Sequence, residues 1–350
     1  MGKYTDIVYD FWDKWCRYRY VDPIFSFAKL CLVTGAGLTT GGIGWAITTL
    51  VPELNLPITV EFGPQQPVLI GAVLITIGLC LGIWRIRIGI SKVGCFLIDH
   101  RGMPGMDLGD PKRNLPGRYK TGEVRLIRID YSADKKDILR RIDTLNERLK
   151  QDLADGANNN AELVYAGLAP IPFLFYAGNV ISNRKECKII LEWDRHSGCW
   201  HEPDRPRQNY SFVVEKPEER VGEDLAIAMP LSVEFGEEPL IRAVKKTPIM
   251  WLRIPGGARQ DSLSSKYDQQ KLARQFYDSL AGLRKSYPEL QMIHLFIAAQ
   301  ASFVFYLGQQ YSPTVHPPIS IYGFNATENM YDWKLTIGES VTVKTLTDSV

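Results

Sequence analysis

The sequence predicts an α/β protein in which two tandem Rossmann-like units follow a two-helix transmembrane hairpin. Three observations support this prediction. The first hundred residues contain two long stretches without charge, the residues after 121 alternate between strand and helix patterns, and an internal repeat recurs at an offset of 130 positions. The length of 350 residues is sufficient for a membrane element together with two small domains.

The composition excludes several classes of protein. Charged residues make up 23% of the chain and the net charge is +2, which argues against a disordered chain. The chain has no excess of basic residues, which argues against double-stranded nucleic acid as a partner. The six cysteines include no CxxC pair, so we expect no disulfide framework and a reducing compartment for the soluble part.

Two apolar runs predict a transmembrane hairpin at residues 23–98. No charged residue occurs in Leu30–Pro52 or in Gly63–Trp84. Each run can cross a bilayer core of about 30 Å, so we place the spans at about 28–51 and 67–88. The alternative is that either run forms a buried core helix. Residues 1–22 are rich in aromatic side chains and are predicted to form an interfacial segment.

Basic residues predict how this hairpin is oriented. Lysine and arginine flank the two runs on their outer sides, whereas the connecting loop Glu53–Phe62 has neither. Because cytoplasmic flanks carry the excess of basic residues, both termini are expected in the cytoplasm.

Each apolar run contains a pair of glycines four positions apart, Gly37 with Gly41 and Gly78 with Gly82. Glycines at this spacing allow helix backbones to approach closely in lipid. The close packing can occur within the hairpin or between protomers of an assembly.

The residues after the hairpin are predicted to form a linker at 99–121, rich in Gly, Pro and Asp, and an α/β domain at 122–350. The domain divides into halves at about 122–205 and 222–340. In the first half, strands are predicted at Val124–Tyr131, Leu163–Leu168 and Lys188–Trp193, with helices between them. In the second half, strands are predicted at Leu225–Val233, Ile249–Ile254, Ile293–Ala298 and Ile319–Phe324.

The two halves share residues as well as patterns. The segment APIPFLFYAGNVIS, which begins at Ala169, aligns with AQASFVFYLGQQYS, which begins at Ala299. The identical pairs are Ala169/Ala299, Phe173/Phe303, Phe175/Phe305, Tyr176/Tyr306, Gly178/Gly308 and Ser182/Ser312. The repeat predicts two βαβαβ units with mostly parallel sheets, whose ligands bind at the carboxyl ends of the strands.

Two blocks of sequence resemble a known family. They are LAPIPFLFYAGNVISNRKECKIILEWDRHSGCW, from Leu168, and HLFIAAQASFVFYLGQQYSPTVHPPISIYGF, from His294 and followed by YDWKL. Both look like parts of a SAVED domain, and the resemblance covers roughly residues 120–340. SAVED domains consist of two fused CARF-like units, and the order of segments is similar to that of membrane-spanning SAVED effectors.

The resemblance implies a function in bacterial anti-phage signalling (CBASS). The sensor is expected to bind a cyclic oligonucleotide of two or three nucleotides between its halves and then to self-associate. The membrane module is expected to disrupt the lipid bilayer of the bacterial inner membrane. Two alternatives remain open: a membrane-tethered enzyme that cleaves a nucleotide, and a passive membrane-anchored adaptor for a protein.

Candidate ligand-binding residues come first from the loop after the strand Ile249–Ile254. Pro255, Gly256 and Gly257 can expose backbone N–H groups to a phosphate, and Arg259 can pair with it. An ordinary turn is an equally good interpretation.

Further candidates lie at the two repeated strand-to-helix junctions, where helix N-terminal amides face a ligand. Small or polar residues occupy these junctions, and aromatic residues nearby can stack on a base. The alternative for the junction residues is tight packing of strand on helix. The alternative for the aromatic residues is core packing. The candidates are Ala169, Pro170, Pro172, Gln300 and Ser302 at the junctions, and Tyr131, Tyr176, Trp193 and Tyr306 among the aromatic residues.

Catalytic and metal-binding patterns are missing from the sequence. It contains no GxGxxG after a strand, no Walker A lysine and no GxSxG elbow, so we expect neither an enzyme nor a cofactor. Cys187, His196, Cys199 and His201 do not fit a common zinc spacing, and no metal is predicted.

Overall fold

The computed structural model describes residues 23–39, 66–89, 94–116, 119, 123–154, 161–182 and 187–346. The chain divides into two compact units, Met1–Lys92 and Val93–Val350. The interfacial segment predicted at residues 1–22 lies outside the described residues.

The first unit contains an antiparallel pair of helices, α1 (Pro23–Thr39) and α2 (Gln66–Gly89). Glycines allow close approach between them. A Cβ on Gly78 would lie 2.8 Å from the carbonyl oxygen of Ala28, and a Cβ on Gly35 would lie 2.7 Å from that of Gly71. Gly78 thus packs within the pair.

The other glycines of the two predicted pairs divide as follows. Gly82 is buried, Gly37 lies within α1, and Gly41 lies outside the described residues.

Among the residues that the structure describes, no helix combines the length and the apolar character needed to cross a membrane. The predicted transmembrane hairpin, with spans at 28–51 and 67–88, is therefore not supported. Helix α1 ends at Thr39, and residues 40–65 lie outside the described part of the chain.

The second unit opens with a five-stranded sheet of order β2-β1-β3-β4-β5, in which β5 alone is antiparallel to its neighbour. A 3-10 turn lies between β1 and β2. The elements are β1 (Cys95–Arg101), the 3-10 turn (Pro111–Asn114), β2 (Val124–Asp130), α3 (Lys135–Ala154), β3 (Glu162–Leu168), α4 (Ile171–Ser182), β4 (Cys187–Asp194) and β5 (Cys199–His201).

The second half forms a seven-stranded sheet of order β12-β11-β10-β9-β7-β8-β6, with a parallel centre and antiparallel edges. Its elements are β6 (Val213–Glu215), β7 (Asp224–Pro230), α5 (Glu238–Val244), β8 (Ile249–Arg253), α6 (Lys266–Ser286), β9 (Met292–Ala298), α7 (Ala301–Gln310), β10 (Ile319–Asn325), β11 (Met330–Ile337) and β12 (Val341–Thr345).

The two sheets have the same order of parallel strands at their centres. The order β2-β1-β3-β4 in the first sheet matches β8-β7-β9-β10 in the second. Strand β9 begins and ends 130 positions after β3, the offset that the repeat predicts. The prediction of tandem Rossmann-like α/β units is confirmed.

The predicted linker at 99–121 needs correction, because β1 occupies Cys95–Arg101 and pairs with both β2 and β3. The residues that follow it cover the sheet. Leu108, Leu115 and Tyr119 are buried in one apolar cluster on the sheet, and the indole N–H of Trp200 donates to the Leu108 carbonyl at 2.8 Å. This stretch is irregular in backbone but packed.

Helices α4 and α7 join the halves at the repeated segments. A Cβ on Gly178 would lie 2.1 Å from the carbonyl oxygen of Phe305, and a Cβ on Gly308 would lie 1.9 Å from that of Phe175. The contact is reciprocal, since each glycine and each phenylalanine is the repeat partner of the other. Phe175 and Phe305 belong to one apolar core that includes residues of both halves.

A buried histidine beside this junction predicts acid sensitivity. Burial lowers the pKa of His100 to about 3, and its Nδ1 lies 2.7 Å from the Tyr165 hydroxyl. An unfolded chain takes up this proton near pH 6.5, so stability is complete above pH 6.5 and falls as the pH drops towards 3. The expected slope is about 1.4 kcal/mol per pH unit.

Denaturant titrations between pH 7 and pH 5 check this expectation, with tryptophan fluorescence as the readout. The variant His100→Asn cannot titrate, so its free energy of unfolding should depend less on pH, by about 1.4 kcal/mol per pH unit. An unchanged slope in this variant would contradict the assignment to His100.

Candidate functional site

A pocket of about 380 Å³ lies between the halves of the second unit, at the carboxyl ends of β3, β4 and β9. The connector between the halves also contributes one residue, Arg205. The remaining lining residues are Leu168, Glu192–His196 and His201 from the first half, and Ser232, Val233, Gln260, Asp261 and Ala299–Ala301 from the second. This position agrees with the predicted ligand site between the two halves of the α/β domain.

The rim of the pocket carries both guanidinium and carboxylate groups, from Arg195, Arg205, Asp194 and Asp261. Arg195, His196 and Arg205 line it and are exposed. An exposed ion pair joins the Arg205 guanidinium to the Asp261 carboxylate at 3.6 Å. The Asp194 carboxylate accepts the backbone N–H of His196 at 2.8 Å, and this hydrogen bond holds the pKa of Asp194 below its usual value. The two exposed guanidinium groups can pair with the phosphates of a ligand.

The floor of the pocket holds a buried carboxyl group, that of Glu192 in β4. Its Oε1 accepts hydrogen bonds from the Ser302 hydroxyl and from the Gln269 amide, the latter at 3.0 Å. Burial raises the pKa of Glu192, while the hydrogen bond from Ser302 and the charge of His201 oppose this shift. Since Ser302 and Gln269 belong to the second half, the network ties the halves together beneath the pocket.

Two of the predicted site residues line the pocket, Trp193 and Gln300. Trp193 is half-buried and meets Trp200 edge to face, with ring centroids 5.4 Å apart. In the orientation that satisfies both the oxygen and the nitrogen of the Gln300 amide, the oxygen accepts the backbone N–H groups of Ser262 at 2.9 Å and Leu263 at 2.8 Å. Ser302 lies beneath the pocket, on Glu192. Their contact with a ligand stays a prediction.

The predicted glycine loop does not line the pocket, although the next two residues do. Gly256 and Gly257 have φ values of +83° and +76°, which make a turn that favours glycine. The Arg259 guanidinium donates to the Tyr210 hydroxyl at 3.1 Å, so its hydrogen bond is made within the chain. Pro255 is exposed beside this turn.

The other predicted candidates also lie outside the pocket lining. Ala169 and Pro172 are buried, and the Pro170 carbonyl accepts the Phe173 N–H at 3.0 Å in the first turn of α4. The Tyr176 hydroxyl donates to Asp143 at 2.5 Å.

Burial and the Asp143 carboxylate raise the pKa of Tyr176. Tyr306 packs on the core, and Tyr131 is exposed just after β2. Packing is thus the structural role of most of these residues.

The polar run at the end of β4 was not predicted as part of the site. Glu192, Arg195 and Arg205 line the pocket but were not proposed. A usable sign was present, because the predicted strand Lys188–Trp193 ends in the run EWDRH, and ligands bind at the carboxyl ends of parallel strands.

Metal binding has no structural support within the described ranges. No group of three or more His, Cys, Asp or Glu side chains there could hold a metal ion. The Cys187 thiol is buried and donates to the Leu163 carbonyl at 3.4 Å.

Comparison with protein families identifies the domain. The model of the SMODS-associated and fused to various effectors sensor domain, SAVED, matches residues 145–337, which is more than half of the chain. The chain belongs to the SAVED family. The match begins within α3, so β1 and β2 of the first SAVED sheet precede it. A comparison with proteins of curated function finds no match for this SAVED chain.

Solved structures of one receptor resemble this SAVED chain. They show the Acinetobacter baumannii Cap4 SAVED/CARF-domain containing receptor with the cyclic trinucleotides 2'3'3'-cAAA and 3'3'3'-cAAA. Each has 13% sequence identity and a TM-score of 0.46, over 83% of this chain and 64% of the receptor. A further structure of that receptor has 11% identity and a TM-score of 0.42, over 87% and 64%. The SAVED chain thus spans less than two thirds of the receptor's length.

Proposed function

We propose that the SAVED domain is a sensor that binds a cyclic oligonucleotide, of two or three nucleotides, in the pocket between its halves. The pocket itself is the observation that carries this proposal. It combines an aromatic ring for a base, Trp193, with exposed cations for phosphates, Arg195 and Arg205. Membership of the SAVED family supports this ligand class, and Cap4 was solved with cyclic trinucleotides.

Titration of the full chain in detergent with cyclic di- and trinucleotides tests the proposal. We expect one member of the panel to bind, and Trp193→Ala to weaken it by about 10-fold to 100-fold, because a base–aromatic stack contributes about 1–3 kcal/mol. Calorimetry measures the affinity. The control Tyr131→Ala removes an exposed aromatic residue outside the pocket and should leave the affinity unchanged.

The same experiment separates the alternatives. Intact ligand after long incubation supports a sensor without enzymatic activity, which is the function we propose, whereas turnover would indicate a nucleotide-cleaving enzyme. Absence of binding across the panel would contradict the sensor and leave the protein-binding adaptor.

We further propose that the first unit attaches the chain to a lipid bilayer, the bacterial inner membrane, and that ligand-driven self-association then disrupts this bilayer in anti-phage defence. The surface of the helix pair supports this proposal. Large apolar side chains are exposed on both helices, among them Phe27 at 55%, Leu69 at 71% and Trp84 at 52%. Exposed apolar patches of this kind fit a lipid or protein surface.

Flotation of the full chain with anionic phospholipid vesicles tests the attachment. We expect the chain to float with the vesicles, and Val73→Glu with Ile77→Glu to reduce the floating fraction several-fold, because both side chains are exposed on α2. The exposed Asp278→Ala in the SAVED domain serves as the control. Dye release that requires the ligand would support disruption, and a chain that stays at the bottom of the gradient would contradict attachment.

A further inference from the structure

The carboxyl group of Glu192 is the deepest charged group of the pocket. Glu192 is 6% exposed, whereas Arg195, His196 and Arg205 are exposed at the rim. The rim thus carries the Arg195 and Arg205 guanidinium groups beside the Asp194 and Asp261 carboxylates, whereas the floor holds the Glu192 carboxyl. A phosphate is attracted to the rim and repelled by the floor, so a nucleotide enters with its base first.

Hydrogen bonds fix Glu192 as an acceptor. Both side chains that bond its Oε1 are donors, the Ser302 hydroxyl and the Gln269 amide. The Gln269 nitrogen also lies 2.7 Å from the Ser302 oxygen and 2.6 Å from the Leu263 carbonyl, so the amide is held in place by three acceptors. These bonds to Oε1 hold the Glu192 carboxyl in a fixed position at the floor of the pocket.

The neighbouring ring completes a recognition surface. Trp193 follows Glu192 in β4 and also lines the pocket, where it can stack on the base that the carboxyl reads. Nucleobases differ in what they offer to such an acceptor. Adenine, cytosine and guanine carry an exocyclic amino group, whereas uracil carries carbonyl oxygens at the corresponding edges, and these are repelled by a carboxylate.

We propose that Glu192 makes the pocket select a nucleotide whose base bears an exocyclic amino group over one with uracil. This inference rests on the proposed function, because it concerns the ligand of the same pocket. The residue acts by accepting a hydrogen bond from the amino group. Discrimination of about 10-fold to 100-fold is expected from such a contact.

Calorimetry on the full chain in detergent tests the selection with matched cyclic trinucleotides. One set contains adenine, cytosine or uracil with the same linkages, and another replaces adenine by purine, which lacks only the amino group. We expect wild-type protein to bind the adenine or the cytosine ligand at least about tenfold tighter than the uracil ligand, and to lose a similar factor with purine.

Substitutions then assign the effect to the carboxyl. Glu192→Gln keeps the size of the side chain but adds an amide donor that can bond uracil carbonyls, so the preference should fall to within about twofold. The control Asp278→Asn makes the matched carboxyl-to-amide change at an exposed residue outside the pocket lining, so the preference should persist. Thermal melts check the folding of each variant.

The outcomes are distinct. Equal wild-type affinity for the adenine and purine ligands overturns the selection even if no variant folds, and an unchanged preference in folded Glu192→Gln overturns the role of Glu192. Binding of none of the ligands overturns the proposed function as well, whereas strong binding without base preference overturns this inference alone.

Discussion

Gly308→Ala is expected to destabilise the SAVED domain by about 3–5 kcal/mol and to lower its Tm by about 10 °C. The new Cβ would lie 1.9 Å from the carbonyl oxygen of Phe175 and 2.7 Å from its carbonyl carbon. These atoms belong to the backbone of α4, so the overlap cannot be relieved by a rotamer change. The two helices must separate, and the apolar core that they share must open.

Gly178→Ala should have a similar effect, because its Cβ would lie 2.1 Å from the Phe305 carbonyl oxygen on the other side of the same contact. Gly282→Ala is the matched control. Gly282 lies on the exposed surface of α6 with no atom within 4 Å of its Cβ position, so alanine there should stabilise the helix by about 0.5–1 kcal/mol.

Calorimetric melts of the three variants and the wild type provide the measurement. The prediction is that Gly178→Ala and Gly308→Ala melt lower and Gly282→Ala slightly higher than the wild type. Equal Tm values for Gly308→Ala and Gly282→Ala would contradict the close helix contact. Because the two glycines share one contact, the losses in the double variant Gly178→Ala with Gly308→Ala should not add. An additive loss would instead indicate two independent contacts.

The sequence predicted the parallel core of each half because that core follows simple periodicity. Strands β3 and β9 were predicted within one residue of their observed bounds. The repeat identified Gly178 and Gly308 as equivalent, but a linear sequence does not show that they meet. Contact between repeat copies depends on how the two halves dock, which periodicity does not encode.

The elements that the sequence analysis missed have less regular patterns. Strand β1 is flanked by the apolar α2 and by a run rich in Gly and Pro, so its apolar residues merged with the predicted hairpin and linker. Yet the strand predicted at Leu225–Val233 had no counterpart in the first half, and β1 is that counterpart, since the sheet orders place β1 where β7 lies. The short edge strand β6 and the ribbon β11–β12 lie outside the repeat.

The pocket was predicted in position but only partly in residues. Its site at the carboxyl ends of the strands follows from topology. The glycine loop was chosen because glycines after a strand often bind phosphate, but here Arg259 bonds Tyr210 and the loop forms a turn beside the pocket. Glu192 was overlooked because an acidic residue in a strand indicates a solvated face unless its partners are known, and Ser302 and Gln269 come from distant parts of the chain.

Asp268→Ala is expected to destabilise the domain by about 2–4 kcal/mol and to weaken ligand binding about tenfold. Asp268 is fully buried in the first turn of α6, and its two carboxylate oxygens accept the backbone N–H groups of Gln208 and Asn209, each at 2.8 Å. These bonds hold the connector between the halves on α6. Removal of the carboxylate leaves two backbone donors without their charged acceptor.

The connector also carries Arg205 into the pocket rim, which links this stability effect to function. The backbone N–H of Arg205 donates to the Ser264 carbonyl at 3.0 Å, two residues before α6 begins, so the connector is held at the start of α6 on both sides of this contact. Asp278→Ala, on the exposed surface of that helix, should change neither quantity by more than about 0.5 kcal/mol. Denaturant unfolding and ligand titration measure both. If Asp268→Ala lost stability but bound ligand at the wild-type affinity well below its Tm, the hydrogen bonds of Asp268 would not position Arg205 for binding.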